Sequence, residues 1–578
     1  MLGKEWETSR RKYRIIEERD VKIPMSDGIH LDADVFRPDS VENFPAVLGI
    51  HCYNKAWQSA SIMPGAMNPL SNGAIESGDY NFYVRRGYVH IIANVRGSGK
   101  SEGTYLSFGP REVRDTYETI EWIANQPWCN GNVGMFGVSY FAIAQQQVAA
   151  LKPPHLKALF CPFGYTDFYR DKFYHGGILS HAFMSGWSRI YAIDNIRCES
   201  WCREKWGDKK YKDAIKEALQ DEDICAVPYL AEALKNPEQG GNALIVNMLL
   251  NSLDGEYYQE RNVDYSKNIE VPAYLGACWG SYGLHLPGAF RSWENWKGPK
   301  KMIIGPPIQL DRPLYQYQYE SLRWFDYWLK GIDNAIMREP PINVFVTGTG
   351  EWKSITEWPL QETRWTPFYL HAGGLLSEHE FWPKEGYSTF EDSHLNRESL
   401  TFLSPPLVEN TEVIGPMVLN LYASSTAPEV LWFASFLDID PDDKETLLTR
   451  GWLRGSQRKL DPKRSRPWQP FHLHTKREPL TPNEIYEFNI EIRPYGILFK
   501  VGHRIGIRLR CVDNEKPANA LHDNAMGHLW RQSSSRVTVY HNAEYPSHLL
   551  LPITRGNKIE TYMSGGKLSS EFFPYRKF

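Results

Sequence analysis

The stretch that decides the fold is NVGMFGVSYFAIAQ, residues 132–145. An apolar run leads into Ser139, and the residues after the serine favour a helix. Such a strand-to-helix turn lifts the serine hydroxyl to the carboxyl edge of a sheet, where the next backbone N–H and the helix N-terminus face a developing oxyanion. Gly137 and Ala142 provide the small residues that a sharp turn needs. The alternative is an ordinary serine at the end of a strand, because a G-x-S triplet also arises by chance.

Short apolar runs on both sides of this turn predict buried parallel strands. They are residues 45–50, 88–95, 132–138, 156–163, 271–279 and 301–305. Between the second and third runs, PREVRDTYETIEWIANQ places Val113, Tyr117, Ile120 and Ala124 on one face of a helix. Strands that alternate with helices predict an α/β domain with a mainly parallel sheet.

The pattern along the chain predicts three regions. Residues 20–165 and 263–338 form the α/β domain, and residues 166–262 form an inserted helical cap. Within the cap, the stretch 205–236 is charged and helical and has no strand signal. From residue 339 to residue 578 the sequence consists of short strands separated by turn residues. This spacing favours an antiparallel β-sandwich or jelly roll.

Composition narrows the class of protein. The 578-residue chain has a formal net charge of −4, which argues against a nucleic-acid partner. No secretory h-region and no apolar run long enough for a transmembrane helix are found, so we expect a cytoplasmic protein without a membrane partner. The eight cysteines include one C-x-x-x-C pair, Cys198 and Cys202, which is weak evidence for a metal. We expect no metal and no cofactor, a small-molecule substrate, and surface enough for a homodimer.

Several longer segments resemble the cocaine esterase and X-Pro dipeptidyl-peptidase group of α/β-hydrolases. They are VKIPMSDGIHLDADVFRP (21–38), NVRGSGKSEGTY (94–105), TIEWIANQPWCNGNVGMFGVSYFA (119–142), INVFVTGTGEWKSITEWP (342–359) and LTPNEIYEFNIEIRPYGILFKVGHRIGIRL (480–509). The resemblance covers nearly the whole chain. It implies an α/β-hydrolase core with a helical cap insertion and a C-terminal β jelly roll. One departure is Asn94, which stands where the group's D-x-R-G-x-G-x-S-x-G loop usually has an acid.

The resemblance also implies roles for three residues of the site. Ser139 matches the nucleophile, and the N–H of Tyr140 matches one oxyanion donor. The second donor in the group is a tyrosine hydroxyl in T-P-Y-x-K, and the matching run HCYNK (51–55) supplies Tyr53. A phenol suits this role because it donates a hydrogen bond while remaining neutral. The alternative for Tyr53 is a packing aromatic residue.

The rest of the catalytic triad departs from the group's pattern. Ser281 in CWGSYGLH (278–285) stands at the position of the acid, and Gln309 in GPPIQ (305–309) stands at the position of the histidine. Gln cannot accept a proton at neutral pH, and a serine cannot stabilise an imidazolium as a carboxylate does. His285, four residues after the acid position, is a candidate relocated base. Asp311 is a weaker one.

The predicted function is that of a serine hydrolase-like enzyme that cleaves an ester or amide bond of a small molecule. Ser139 is the nucleophile, Tyr53 and Tyr140 form the oxyanion hole, and His285 is the candidate base. Aromatic residues of the cap, Trp187, Tyr191 and Trp201, are candidates for shaping the substrate pocket or are ordinary core residues. One alternative is a degenerate-triad member that uses the same pocket for a cyclisation, elimination or isomerisation. The other is a protein that binds without turnover.

Overall fold

A computed structural model describes most of the chain. It covers residues 8–53, 55–58, 76–190, 196–307, 311–380, 385–396, 398–513 and 527–558, with the side chains at 57, 188–190 and 311–317 left aside. The chain divides into two compact units. The first comprises Met1–Lys172, Phe183–Asn251 and Gly255–Ile342, and the second comprises Phe173–Ala182, Ser252–Asp254 and Asn343–Phe578.

The strands are numbered in chain order. Those up to residue 305 are β1 (Ile15–Pro24), β2 (His30–Pro38), β3 (Phe44–His51), β4 (Val89–Asn94), β5 (Cys129–Phe136), β6 (Leu156–Pro162), β7 (Tyr174–His175), β8 (Ile178–Leu179), β9 (Ala273–Cys278) and β10 (Lys300–Gly305). The later strands are β11 (Ile342–Val346), β12 (Glu351–Ile355), β13 (Arg364–His371), β14 (Leu375–Ser377), β15 (Gly386–Asp392), β16 (Leu400–Leu403), β17 (Thr411–Ser425), β18 (Leu431–Ile439), β19 (Glu445–Arg454), β20 (Tyr486–Phe499), β21 (Arg504–Arg510), β22 (Ser535–His541) and β23 (His548–Arg555).

The helices are numbered in the same way. They are α1 (Lys55–Gln58), α2 (Tyr80–Val84), α3 (Pro110–Ala124), α4 (Tyr140–Ala149), α5 (Ala182–Ile190), α6 (Trp201–Ala218), α7 (Glu222–Cys225), α8 (Pro228–Lys235), α9 (Asn242–Leu250), α10 (Glu256–Gln259), α11 (Leu286–Asn295) and α12 (Asp311–Lys330). Short 3-10 turns cover Tyr265–Lys267, Trp279–Ser281, Ile336–Arg338, Ala372–Gly374 and Gly455–Gln457, and a π-helical turn covers Phe168–Phe173.

The first unit is built on one sheet with the strand order β1-β2-β4-β3-β5-β6-β9-β10. Strands β1, β2 and β4 pair antiparallel, and the pairs from β4 to β10 are parallel. Every residue of β3, β4 and β9 is buried, as is typical of a parallel sheet with both faces covered. The sheet is mainly parallel, as the apolar runs predict, and it brings the carboxyl ends of β3, β5 and β9 to one edge.

The buried face of α3 differs from the predicted one. Its buried residues are Glu112, Asp115, Thr116, Thr119, Ile120 and Ile123. Of the four residues predicted to share one face of the helix, only Ile120 is buried. The polar residues point inward because they have partners there. The guanidinium of Arg96 donates to Asp115 at 2.7 Å, and the hydroxyl of Tyr140 donates to Glu112 at 2.5 Å.

The region predicted as a helical cap is helical in most of its described part, where α5 to α10 follow one another between residues 182 and 259. Residues 205–236, the stretch without a strand signal, form helices α6 to α8 and their connections. Nearer the start of the predicted cap, β7 and β8 pair antiparallel as a short hairpin. Gly176 and Gly177 form its turn with φ values of +54° and +86°. The boundaries predicted for the three regions stay predictions.

The second unit is rich in antiparallel β structure. Eleven described strands form one sheet in the order β15-β22-β17-β20-β19-β18-β21-β16-β14-β13-β23. Because β23 also pairs with β17, that part of the sheet closes on itself. Alternating buried residues on β20 and β22 face its core, as expected for strands with one face turned away from solvent.

All eight cysteines are unbridged. Cys225 on α7 is exposed and Cys198 is half-buried, whereas the other six are buried. Within the described ranges, no helix has the length and apolar character needed to span a lipid bilayer.

Candidate active site

Ser139 occupies the turn between β5 and α4. Its backbone has φ +55° and ψ −118°. Residues other than glycine rarely adopt this left-handed conformation, because it is strained for a residue with a Cβ atom. Two residues earlier, Gly137 has φ +140°, and a Cβ added there would lie 2.4 Å from Cβ of Phe141 and 2.6 Å from the carbonyl oxygen of Glu76. A side chain therefore cannot be placed at residue 137 without moving the turn. This is the sharp strand-to-helix turn that the sequence predicts.

Hydrogen bonds fix the turn from both sides. The N–H of Val138 donates to the carbonyl of Glu76 at 3.1 Å, and the N–H of Ile143 donates to the carbonyl of Ser139 at 3.0 Å. Ser139 thus begins the hydrogen-bond ladder of α4 through its backbone. Its hydroxyl makes no capping bond to the helix, so forming α4 does not engage the group that the chemistry needs.

Tyr140 contributes its backbone to the site, and its side chain belongs to the core. The ring stacks on Phe108 with centroids 3.9 Å apart, and the hydroxyl is held by Glu112. Burial raises the pKa of Glu112 to about 7. The N–H of Tyr140 lies at the first residue of α4, beside Ser139, where the helix dipole favours negative charge.

Tyr53 follows the carboxyl end of β3 and is buried. Its N–H donates to Nδ1 of His51 at 3.0 Å, and its carbonyl accepts from Nδ2 of Asn94 at 2.7 Å. Its hydroxyl accepts from Nε1 of Trp187 at 3.4 Å, and its ring centroid lies 6.0 Å from that of Tyr140. Burial raises the pKa of Tyr53 well above its usual range, so the phenol keeps its proton and remains a donor.

The side chains of Asn94 and Lys55 hold the Tyr53 segment in place. Asn94, predicted from the sequence to stand where the glycine-rich loop usually has an acid, uses its amide to hold the backbone of Tyr53. Two residues after Tyr53, the ammonium of Lys55 forms ion pairs with Asp20 at 2.9 Å, Asp32 at 2.8 Å and Asp34 at 2.6 Å. These carboxylates lie on β1 and β2, so Lys55 fastens the Tyr53 segment to the sheet.

Ser281, predicted from the sequence to stand at the position of the triad acid, has a local structural role. Its hydroxyl donates to the carbonyl of Cys278 at 2.8 Å and accepts from the N–H of Cys278 at 3.4 Å. The side chain therefore closes the 3-10 turn that follows β9. A hydroxyl engaged in this way has no carboxylate charge to offer an imidazolium.

His285 lies fully buried at the start of α11. Its ring stacks on Tyr165 with centroids 5.9 Å apart and meets the edge of Phe163 at 6.0 Å. Gln309 lies outside the described residues, as does Tyr191. Asp311 is the first residue of α12, and only its backbone is described. Trp201 packs against Tyr257 with centroids 5.1 Å apart.

Two buried ionisable residues of the first unit are not singled out by the sequence. One is Glu76, next to the Ser139 turn, and burial raises its pKa to about 8. The other is Lys172, and burial lowers its pKa to about 7. The Lys172 ammonium lies among four rings, at 5.6 Å from Phe108, 5.4 Å from Tyr165, 5.7 Å from Phe168 and 4.8 Å from Trp187. Neither residue belongs to a local motif, so only their three-dimensional surroundings reveal them.

The described residues hold no group of three or more His, Cys, Asp or Glu side chains arranged for a metal ion. The Cys198–Cys202 pair does not form one, and the thiol of Cys202 accepts from Nδ2 of Asn251 at 3.1 Å. The arrangement around Ser139 can perform nucleophilic chemistry on a carbonyl, with a neutral phenol and a helix N-terminus available for the oxyanion.

Comparisons with known proteins identify two domains. Residues 27–308 match the model of the X-Pro dipeptidyl-peptidase (S15 family), and residues 334–550 match that of the X-Pro dipeptidyl-peptidase C-terminal non-catalytic domain. The two matches together cover most of the chain. The resemblance stated from the sequence is therefore confirmed.

Individual relatives agree with this assignment. Cocaine esterase from Rhodococcus sp. (strain MB1 Bresler) is 26% identical, with 93% of this chain and 98% of that protein covered. A CocE/NonD family hydrolase from Staphylococcus aureus has a TM-score of 0.76 at 26% identity, with 94% of each chain covered. An alpha-amino acid ester hydrolase shares the fold, with a TM-score of 0.72, 19% identity and 96% and 99% coverage.

The S15 assignment confirms an α/β-hydrolase core followed by a β-rich C-terminal domain. At the level of the family, it also confirms the predicted enzyme class, a hydrolase of ester or amide bonds. It does not test the roles of single residues, which stay predictions.

Proposed function

We propose that this chain is a serine hydrolase that cleaves an ester or amide bond of a small molecule through Ser139. The hydroxyl of Tyr53 and the N–H of Tyr140 form its oxyanion hole. The conformation of Ser139 carries the proposal, because a non-glycine residue at φ +55° in a strand-to-helix turn is the strained geometry of a nucleophile elbow. The finer parts of the proposal are a jelly roll in residues 339–578, a helical cap in residues 166–262, a cytoplasmic location and a homodimer.

The proposed reaction passes through an acyl-enzyme. The Ser139 oxygen attacks the carbonyl carbon of the substrate, and the carbonyl oxygen becomes an oxyanion between the two donors. The adduct collapses as the bond to the leaving alcohol or amine breaks, which gives the acyl-enzyme. Water then attacks the acyl carbon, and the acid leaves Ser139. The phenol of Tyr53 suits this step because its raised pKa keeps it protonated throughout.

The test is covalent labelling of the serine. We expect one fluorophosphonate adduct per chain by intact mass between pH 5 and 9, and none in Ser139→Ala. Ser266→Ala, at an exposed serine, is the matched control and should label as the wild type does.

Absence of an adduct in folded wild-type protein would contradict the proposal. Product formation that depends on Tyr53 without any Ser139 adduct would favour the non-hydrolytic alternative. A ligand-induced thermal shift without turnover would favour binding alone.

A further inference from the structure

We propose that the carboxylate of Glu76 is the general base that activates Ser139. The proposal rests on the function proposed above and supplies what the substitutions at Ser281 and Gln309 remove. A nucleophilic serine needs a base within hydrogen-bond reach, directly or through one water. A carboxylate can fill that role without an intervening histidine.

Glu76 lies against the turn that holds the nucleophile. Its carbonyl accepts the N–H of Val138, the residue before Ser139, at 3.1 Å. The segment after Glu76 also lies close to β5, because a Cβ added at Gly78 would lie 2.7 Å from the ring of Phe136 at the end of that strand. The backbone of Glu76 is thus fixed beside residues 136–138, one residue from the nucleophile.

The carboxyl group of Glu76 is buried. The residue is 9% exposed, and its Oε2 has no hydrogen-bond partner among the described residues. After burial, the charge of Glu76 is the largest influence on the pKa of Tyr53, ahead of the adjacent Cys52. Buried polar atoms in folded proteins are almost always hydrogen-bonded. A buried carboxyl oxygen that has no partner among the described residues, and whose charge acts on Tyr53, is therefore available to accept the Ser139 proton directly or through a water.

Burial gives the carboxyl of Glu76 a pKa of about 8, so it can take up and release a proton near neutral pH. Two ionisable groups after β3, Cys52 and Tyr53, interact with the charge of Glu76. His90 on β4 contacts the carbonyl of the next residue, Ser77, at 2.9 Å, and Asp79 follows on the same segment. Burial lowers the pKa of His90 to about 4, so His90 is neutral in this range. Burial raises the pKa values of Cys52 and Tyr53 well above their usual range, so Glu76 titrates before them.

The reaction balances with water as the only co-reactant. The Glu76 carboxylate takes the hydroxyl proton of Ser139 as Oγ bonds to the carbonyl carbon and the C=O electron pair moves to oxygen. The tetrahedral adduct collapses, the bond to the leaving alcohol or amine breaks, and that group takes the proton from Glu76. In the second half, Glu76 takes a proton from water as the water oxygen bonds to the acyl carbon. Release of the acid then returns this proton to the oxygen of Ser139.

The test compares the pH dependence of Ser139 labelling between variants. In the wild type we expect the second-order rate of fluorophosphonate labelling to rise with pH, with a midpoint near 8. Glu76→Gln should lower the rate by about 10²–10⁴-fold and remove the midpoint, as expected for loss of a general base. Glu76→Asp should restore part of the rate. The carboxyl of Glu76 is mostly neutral at pH 7, so the neutral amide of Gln should be tolerated at this buried position. Circular dichroism checks that the variant folds.

Three further variants separate the alternatives. Glu217→Gln, the same change at an exposed position of α6, should label as the wild type does. Lys172→Met and His285→Ala should both keep the midpoint near 8. Loss of the midpoint in either of these variants, or wild-type labelling of Glu76→Gln, would overturn the assignment of Glu76 and leave the hydrolase proposal standing. Absence of labelling in the wild type would overturn the hydrolase proposal itself and the Glu76 assignment with it.

Discussion

Ser139 keeps a backbone conformation that costs about 1–3 kcal/mol for a residue with a side chain. The conformation persists because the chain around it is fixed by β5, by α4 and by the bond from Val138 to Glu76. This conformation places Ser139 directly before the N-terminus of α4 and leaves its hydroxyl free of a capping bond to that helix. Strain at one residue is thus maintained by the packing of its neighbours.

The proposed role of the Tyr53 hydroxyl can be tested by a single substitution. Tyr53→Phe should lower kcat for an activated ester by roughly 10²–10³-fold and leave KM little changed, because it removes a donor that acts on the transition state. The hydroxyl accepts from Trp187 but is not needed to fold the segment, which is held by His51, Asn94 and Lys55. Steady-state kinetics measure the effect, and a kcat equal to that of the wild type would remove Tyr53 from the oxyanion hole.

Single residues also mark the limit of what the sequence predicts. Ser139 and Gly137 are recognisable because the turn needs a glycine and a serine at fixed positions in a short segment. Glu76 and Lys172 are not recognisable, because their burial depends on elements distant in the chain. Gln309 falls outside the described residues, and the role of His285 stays a prediction.

At the scale of elements, the α3 helix shows why an apolar pattern can misplace a buried face. The pattern selects Val113, Tyr117 and Ala124, although Glu112 and Asp115 are the residues that point inward. Their carboxylates have partners on other elements, Tyr140 and Arg96. The existence and span of the helix follow from periodicity alone, whereas its rotation depends on contacts that local sequence does not contain.

The importance of the strand-to-helix turn for the position of Ser139 can be tested at Gly137. Gly137→Ala should lower the free energy of unfolding by about 1–3 kcal/mol or more and abolish Ser139 labelling, because the new Cβ would overlap the carbonyl of Glu76 and Cβ of Phe141. Urea unfolding and fluorophosphonate labelling measure the two effects.

The matched control for this prediction is Gly186→Ala on α5. An added Cβ there meets nothing within 4 Å, and a helix gains about 0.5–1 kcal/mol when alanine replaces glycine. Labelling should be unaffected. Normal labelling of Gly137→Ala would mean that the turn tolerates a side chain and that its geometry does not position the serine.

At the scale of the whole molecule, buried histidines make stability depend on acidity. Burial lowers the pKa of His51 to about 3 and the pKa values of His90, His181 and His371 to about 4. A group with a lowered folded-state pKa contributes stability above its unfolded value of 6.5, and this is lost as the pH falls towards the folded value. Glu76 and Glu112 act in the opposite direction, because their pKa values are raised to about 8 and 7.

The balance between these histidines and carboxyls makes the free energy of unfolding depend on pH. The unfolded chain takes up protons on these four histidines as the pH falls below 6.5, whereas the folded chain already holds protons on the two carboxyls. The difference in bound protons between the unfolded and folded chains is close to zero at pH 6.5 and about two at pH 5, so the free energy of unfolding should fall by about 2 kcal/mol between these pH values. Urea unfolding at pH 6.5, 6 and 5 measures the slope, and His371→Asn should reduce it by about half. A midpoint that stays constant or rises on acidification would contradict the prediction.

The distribution of the cysteines has a practical use. Because only Cys225 is exposed and six thiols are buried, a maleimide dye should attach mainly at α7. The wild-type chain can then carry a fluorophore without any cysteine being removed. Fluorescence from that position would report whether α7 changes its surroundings when an ester analogue is added.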